Sequence, residues 1–151
     1  MTDDRTRVRR AAVIAICEPA ARSTIARVVD EAVKAATIFG LTRERADAYA
    51  DGILSTLPLA FEAMAMEDGP ERSVRIRDLA AAVRGVSDSH HIPNLVERGL
   101  VAIALRIARE VVRRGADRQG FTPDELEREF VAFAHQLENQ LYRRDATPDS
   151  G

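Results

Sequence analysis

The stretch "NLVERGLVAIALRIAREVVRRG", residues 94–115, decides the fold, because it is an amphipathic helix with an unusually wide apolar face. At 100° per residue its apolar side chains fill an arc of roughly 200°. Those side chains are Val96, Leu100, Val101, Ile103, Ala104, Leu105, Ile107, Ala108, Val111 and Val112. A helix with such a face needs neighbours on two sides. The sequence therefore predicts that residues 95–114 form the central and most buried helix of a bundle.

Five further helices are predicted around this one, and each is bounded by a cap or a breaker. Pro19 suits the first turn of a helix, so we expect one helix to end before it and a second to begin there. Pro58 predicts a kink near residues 55–57. Gly85 is expected to end the fourth helix. The predicted ranges are about 5–17, 19–39, 42–66, 73–84 and 123–142.

Capping residues mark the beginnings of the last two helices. Asn94 with Glu97 three residues later has the pattern of a capping box. In "TPDE" Thr122 is the predicted cap, Pro123 the first-turn proline and Glu125 the returning acid. The last helix then carries one narrow apolar stripe: Leu126, Phe130, Phe133, Ala134, Leu137 and Leu141.

Composition agrees with closely packed helices. Apolar residues make up 46% of the 151 residues and charged residues 30%, whereas aromatic residues reach only 5% and tryptophan is absent. A core of this kind is built from Leu, Ile, Val and many Ala. The predicted fold is an all-α, single-domain bundle of five to seven helices over residues 1–142. Residues 143–151 have nothing to bury and are expected to be a disordered tail.

Charge and cysteine usage exclude several classes of partner. The net charge of −2 gives no reason to expect binding to nucleic acid. Cys17 is the only cysteine, which suits a reducing cytoplasm. The apolar run at residues 11–17 is too short to span a membrane, so no membrane association is expected.

Two adjacent histidines in "SDSHHIPN" are the most conspicuous polar feature. Asp88, His90 and His91, with His135 from the last helix, are the candidate metal ligands, but no metal-ligand spacing connects them. The alternatives are a pH-sensitive contact and a polar, solvent-facing loop before the next helix. We expect the polar loop, with its structural role carried by Pro93 and Asn94.

Catalytic patterns do not occur in the sequence. Ser87 and Ser89 lie near the histidines, but no glycine-rich elbow or oxyanion-hole sequence accompanies them. Cys17 lies in an apolar run and is expected to be a buried small hydrophobic residue. No phosphate loop or dinucleotide fingerprint is present. We therefore expect a protein that is not an enzyme and has no cofactor.

Two surfaces are candidates for protein–protein contacts. The arginine stripe on the helix at 94–115 could hold acidic groups, although a solvated face is the favoured interpretation because Glu97 and Glu110 flank the stripe. The apolar flank beyond Pro58 adapts well to a partner, although it could simply cap the core. The arginine stripe consists of Arg98, Arg106, Arg109 and Arg113. The apolar flank consists of Leu57, Leu59, Phe61, Met64 and Met66. Together they predict a non-catalytic regulatory module, a homodimer that also contacts another regulatory protein. The alternative is a ligand- or metal-binding sensor that uses Asp88, His90 and His91.

Residues 74–142 resemble the end of a globin-type helical sensor domain. The order is a short helix with "LAAAVRGV", a corner "HHIPNLVERG", a long helix and a closing helix "GFTPDELEREFVAFAHQLENQLY". The family's iron-binding histidine would fall at Val86, and the helix from Val74 to Arg84 contains no histidine. Residues 74–142 therefore resemble the haem-free, globin-like domains at the N-terminus of stressosome co-antagonists and PucR-type regulators more closely than they resemble haem-binding globins. That resemblance implies a dimeric signal-input module without catalytic residues.

Overall fold

The computed structural model describes residues 4–36 and 40–146. This part of the chain forms six α-helices and a short 3₁₀ helix, without any β-strand. They are α1 (Asp4–Ala36), α2 (Arg43–Leu54), α3 (Leu57–Ala65), α4 (Pro70–Ser89), α5 (Asn94–Gly115), the 3₁₀ helix (Ala116–Gln119) and α6 (Pro123–Ala146). The predicted all-α bundle is confirmed. None of the helices in these ranges combines the length and the apolar character needed to cross a bilayer.

Helix α1 runs unbroken through Pro19, so the prediction of two helices at 5–17 and 19–39 is wrong. Proline removes the donor that would bond the carbonyl of Ala15, but both residues are exposed and water can take that donor's place. On the opposite face a buried side chain occurs at every fourth position: Val13, Cys17, Ala21, Ile25, Val29 and Val33. This row packs on both sides of the proline and keeps the two halves in one helix. Residues 37–39 lie outside the described residues.

Helix α1, rather than α5, takes the central position. It lies against α2, α3, α5 and α6, whereas α5 packs mainly on α1 and α6. Ile103 of α5 is 46% exposed, and Ile107 and Val111 are half-buried. The prediction that residues 95–114 form the most buried helix is therefore not confirmed.

The predicted break before Pro58 is present. Helix α2 ends at Leu54, and α3 begins at Leu57 with Pro58 in its first turn. The hydroxyl of Thr42 accepts a hydrogen bond from the backbone N–H of Arg45 at 3.2 Å, which confirms the predicted cap of α2.

Helix α4 is longer than the predicted range 73–84, because it begins at Pro70 and continues through Gly85 to Ser89. A glycine inside a helix is unfavourable, yet Ser87 beyond it is buried and Val86 packs against α2. The approach to α2 is very close: a Cβ atom added at Gly52 would lie 2.5 Å from Cγ1 of Val86. Packing beyond Gly85 thus overrides the local signal to end the helix.

Helix α6 matches its sequence signals. The backbone N–H of Glu125 bonds the hydroxyl of Thr122 at 3.3 Å, and the N–H of Thr122 bonds the carboxylate of Glu125 at 3.2 Å. This reciprocal pair is the predicted capping box. The members of the predicted stripe are all buried: Leu126, Phe130, Phe133, Ala134, Leu137 and Leu141. The backbone stays helical to Ala146, and residues 147–151 of the predicted tail lie outside the described residues.

Two helical glycines provide a matched test of the α2–α4 contact. Gly85→Ala should raise the free energy of unfolding by about 0.5–1 kcal/mol, because alanine favours the helix and no atom lies within 4 Å of the new methyl group. Gly52→Ala should lower it by about 1–3 kcal/mol through overpacking against Val86. Chemical denaturation measures both. In a Val86→Ala background the Gly52→Ala change should become stabilising, and equal effects of the two glycine changes in the wild type would contradict the close approach.

Candidate functional site

The histidine corner ends α4 in a Schellman motif. The N–H of Ile92 bonds the carbonyl of Ser87 at 2.8 Å, and the N–H of His91 bonds the carbonyl of Asp88 at 3.1 Å. His91 has a φ of 54°, the left-handed conformation that glycine usually supplies at this position. Ile92, the residue after the left-handed position, is buried, as is common for an apolar residue at this place in the motif. His91 therefore has a defined structural role that the sequence pattern did not indicate.

Helix α2 anchors the corner from the side. The guanidinium of Arg45 donates to the carbonyls of His90 and His91 at 2.8 and 3.1 Å. The ring of Tyr49 meets that of His90 edge-on, with centroids 6.4 Å apart. His90 is half-buried by these contacts, whereas His91 is exposed.

The candidate metal ligands do not assemble into a site. Over residues 4–36 and 40–146, no three His, Cys, Asp or Glu side chains come together in a way that could hold a metal ion. Asp88, His91 and His135 are exposed, and His90 faces Tyr49. The arrangement of these groups points to a backbone turn rather than to a coordination sphere.

The predicted capping box at the start of α5 is wrong. Asn94 is the first helical residue and not the cap, a position held by Pro93. The carbonyl of Pro93 accepts from the N–H groups of Val96 and Glu97 at 3.0 and 3.1 Å. The side chain of Glu97 does not turn back to the helix terminus, because it is fully buried.

Glu97 forms a buried charged cluster beneath the corner. Oε1 of Glu97 lies 3.5 Å from Nε of Arg84, whose side chain is 21% exposed and also donates to the carbonyl of Leu141. Burial, followed by the charge of Glu97, raises the pKa of Tyr142 to about 12. The same two causes raise the pKa of Tyr49, partly opposed by its hydrogen bond with Ser87. Through Arg84 the acid connects the ends of α4, α5 and α6, and its charge acts on the phenols of Tyr49 and Tyr142.

Sequence reasoning missed this cluster although a signal was present. Glu97 lies three residues before Leu100 and four before Val101, so the helical wheel places it on the apolar arc of α5. The capping-box pattern offered a competing role for the same carboxylate. Burial shows that its position on the wheel was the better guide.

Most of the predicted arginine stripe is engaged within the chain. Arg109 pairs with Glu127, and Nε of Arg113 lies 3.7 Å from the second oxygen of Glu127. The guanidinium of Arg98 stacks 4.5 Å from the ring centroid of Tyr142. Arg106 is the member of the stripe that remains exposed without an ion pair among the described residues.

The predicted apolar flank is only partly a surface. Met64 is buried in the core, and Leu57 and Phe61 are half-buried with one side facing an apolar cavity. Met66 is half-buried as well, and Leu59 is 39% exposed. For Met64 the proposed contact role is therefore wrong, because the side chain is already covered by the bundle.

The larger exposed apolar surface is a groove between the C-terminal half of α1 and the N-terminal half of α5. It encloses about 410 Å³ and is floored by Val29, Val33 and Leu100. Leu95 on its rim is 78% exposed, and Ile103 is 46% exposed. Leu95 lies outside the apolar arc of its helix, which is the signal that could have identified it from the sequence.

A second apolar space lies between α1, α3 and α5. It is a cavity of about 110 Å³ whose floor is formed by α4 and α6, and it is partly open to solvent. The lining residues are Cys17, Ala21, Ile25, Val29, Ile53, Thr56, Leu57, Ala60, Phe61, Met64, Leu79, Val83, Leu100, Val101, Ala104, Leu105, Ala108, Phe130, Phe133 and Leu137. Burial raises the pKa of the Cys17 thiol to about 12, so this group is neutral and belongs to the apolar wall.

No protein-family model, curated protein or solved structure matches this chain. The groove, the cavity and the buried cluster are therefore interpreted from their own chemistry. The resemblance to globin-like sensor domains stays a prediction.

The left-handed conformation of His91 can be tested by substitution. His91→Gly should raise the free energy of unfolding by about 0.5–1 kcal/mol, because glycine carries no Cβ penalty at positive φ. His91→Val should lower it by more than about 1 kcal/mol, since a β-branched residue is strained there. His90→Gly is the control, because φ at position 90 is −103° and the change removes the contact with Tyr49. Thermal melts in which the two glycine variants lose stability equally would contradict the assigned role of His91.

Because Glu97 is buried beside Arg84, removing one of the two charges should destabilise the protein far more than removing both. Arg84→Met should destabilise the protein by about 3 kcal/mol, because it leaves the buried carboxylate of Glu97 without its cation. Arg84→Met combined with Glu97→Gln should recover most of that loss. Urea denaturation of the two variants measures the difference. A double variant that is as unstable as the single one would show that Glu97 does not depend on Arg84.

Proposed function

We propose that this protein is a non-catalytic regulatory module that acts through protein–protein contacts, and that it forms a homodimer through the groove between α1 and α5. The observation that carries the proposal is the groove itself, with Leu95 and Ile103 exposed on its rim. Burying a leucine or isoleucine side chain contributes about 1.5–3 kcal/mol each. Contiguous apolar surface of this kind marks interaction sites on soluble domains.

The shape of the patch favours a second copy of the chain as the occupant. An isologous interface brings the same patch of two subunits together, so the patch must complement itself. Here a projecting side chain, Leu95, lies directly beside an apolar groove that can receive one. In a two-fold arrangement each protomer can supply the projection for the groove of the other.

Charges near Ile103 support the same arrangement. Glu31 of α1 lines the surface next to Ile103, and Arg106 follows Ile103 by one helical turn. Within the described part of the chain neither side chain has an ion-pair partner. Across a two-fold axis Arg106 of one protomer can face Glu31 of the other, and such rim charges set specificity and register.

The resemblance of residues 74–142 to haem-free, globin-like sensor domains supports a role of this kind, since those domains are dimeric signal-input modules. A regulatory module of this class also contacts another regulatory protein. A cytoplasmic location is part of the proposal and rests on the single cysteine, Cys17.

Sedimentation velocity over a range of micromolar concentrations tests the dimer. The wild type should sediment as a concentration-dependent dimer, and Ile103→Glu should weaken dimerisation at least about tenfold, because it places a carboxylate in the apolar contact. Val74→Glu is the matched control: Val74 is 45% exposed on α4, outside the groove. A monomeric wild type, or equal behaviour of the two glutamate variants, would reject the proposed interface.

A charge exchange tests the orientation within the dimer. Arg106→Glu and Glu31→Arg should each weaken the dimer, since each places like charges across the axis. The double variant exchanges the two signs and should regain most of the wild-type affinity. If the losses of dimer affinity in the two single variants simply add in the double variant, Arg106 and Glu31 do not pair across the axis. That result would not bear on the apolar contact, which the Ile103→Glu variant tests.

A further inference from the structure

We propose that the partly open apolar cavity between α1, α3 and α5 is a binding site for a small, uncharged, apolar molecule in the size range from xenon to benzene. This site is separate from the dimer groove, and the proposal does not depend on dimerisation. It rests on the volume of the cavity, about 110 Å³, on the chemistry of its wall and on its position behind α3.

The wall offers no free hydrogen-bonding group. Thr56 is the lining residue that carries a hydroxyl, and this hydroxyl already donates to the carbonyl of Ile53 at 2.7 Å. The Cys17 thiol is neutral and a weak donor. The remaining lining side chains are aliphatic, phenylalanine or methionine. A ligand with a charge or several hydroxyl groups would lose its hydration without compensation in such a site.

Water that contacts this wall finds few polar partners, so an apolar molecule that displaces it is favoured. An engineered cavity of about 150 Å³ lined by Leu, Ile and Phe side chains takes up benzene or xenon. The cavity of this protein is somewhat smaller and has a wall of the same chemistry, and it differs in being partly open to solvent.

The weaker side of the wall lies between α3 and α5. Helix α3 packs on α1 and α4, whereas α5 packs mainly on α1 and α6. Leu57 and Phe61 of α3 and Val101 and Leu105 of α5 are half-buried, so they form the outermost layer over the cavity. A small apolar molecule would enter the cavity between these four side chains.

Thermal unfolding and xenon-129 NMR of the purified protein test the site. Benzene close to its solubility limit should raise the Tm of the wild type by about 2–4 °C, because a ligand that binds only the folded state stabilises it. The xenon-129 resonance should shift with protein concentration. Nuclear Overhauser effects should connect benzene with the methyl groups of Leu79 and Val83, which are both buried in the cavity wall.

A matched pair of variants on α5 locates the binding. Ala104 lines the cavity, so Ala104→Leu should abolish the benzene-dependent rise in Tm and the xenon shift. Ala102 is exposed and does not line it, so Ala102→Leu should retain both. If Ala104→Leu does not fold, Ala60→Leu on α3 fills the same space from the opposite side.

Three results would overturn the proposal. The first is a wild type that shows no rise in Tm, no xenon shift and no Overhauser effects to Leu79 or Val83. The second is an unchanged benzene response in a folded cavity-filled variant. The third is a response that is lost in Ile103→Glu but kept in Ala104→Leu, which would place the ligand in the exposed groove instead.

Discussion

The bundle depends on the unbroken row of buried side chains along α1. A spacing of four residues advances 40° around a helix at each step, so from Val13 to Val33 the row turns through about 200°. Val13, near the beginning of the row, lines a small pocket together with Phe133 of α6. Val33, near its end, lines the groove together with Ala46 of α2 and Leu100 of α5. One helix of 33 residues can therefore contact partners on different sides in succession. A break at Pro19 would separate the two ends of the fold.

Small side chains on α1 and α5 let these helices approach closely at one end and leave space at the other. A Cβ atom added at Gly115 would lie 2.7 Å from Cγ2 of Ile16, so the two helices are in tight contact there. Towards Leu95 the same pair opens into the apolar groove. An occupant of the cavity between α1, α3 and α5 would bury the apolar surface of its wall and so stabilise the folded state.

The sequence pattern predicted the structure correctly where a single helix terminus or a single helix face determines it. The capping box at Thr122 and the break at Pro58 are both present, because each depends on residues a few positions apart. The sequence pattern failed where packing between distant segments overrode the local signal. Pro19 and Gly85 are tolerated inside helices because the residues around them are buried against other helices. The candidate site was the least predictable part, since Glu97 is buried beside Arg84, which is contributed by a different helix.

The cavity and the groove share part of a wall, and this links the two proposals physically. Val29 and Leu100 line both spaces, one from α1 and the other from α5. A molecule inside the cavity and a second copy in the groove would touch these two side chains from opposite sides. A close-packed interior passes a displacement of one such side chain to its neighbours. By thermodynamic linkage, a cavity ligand that changes the affinity of the dimer has its own affinity changed by dimerisation by the same factor. Val29 and Leu100 are the two side chains that the proposed cavity ligand and the proposed dimer partner would both contact, so variants at these positions would report any such coupling.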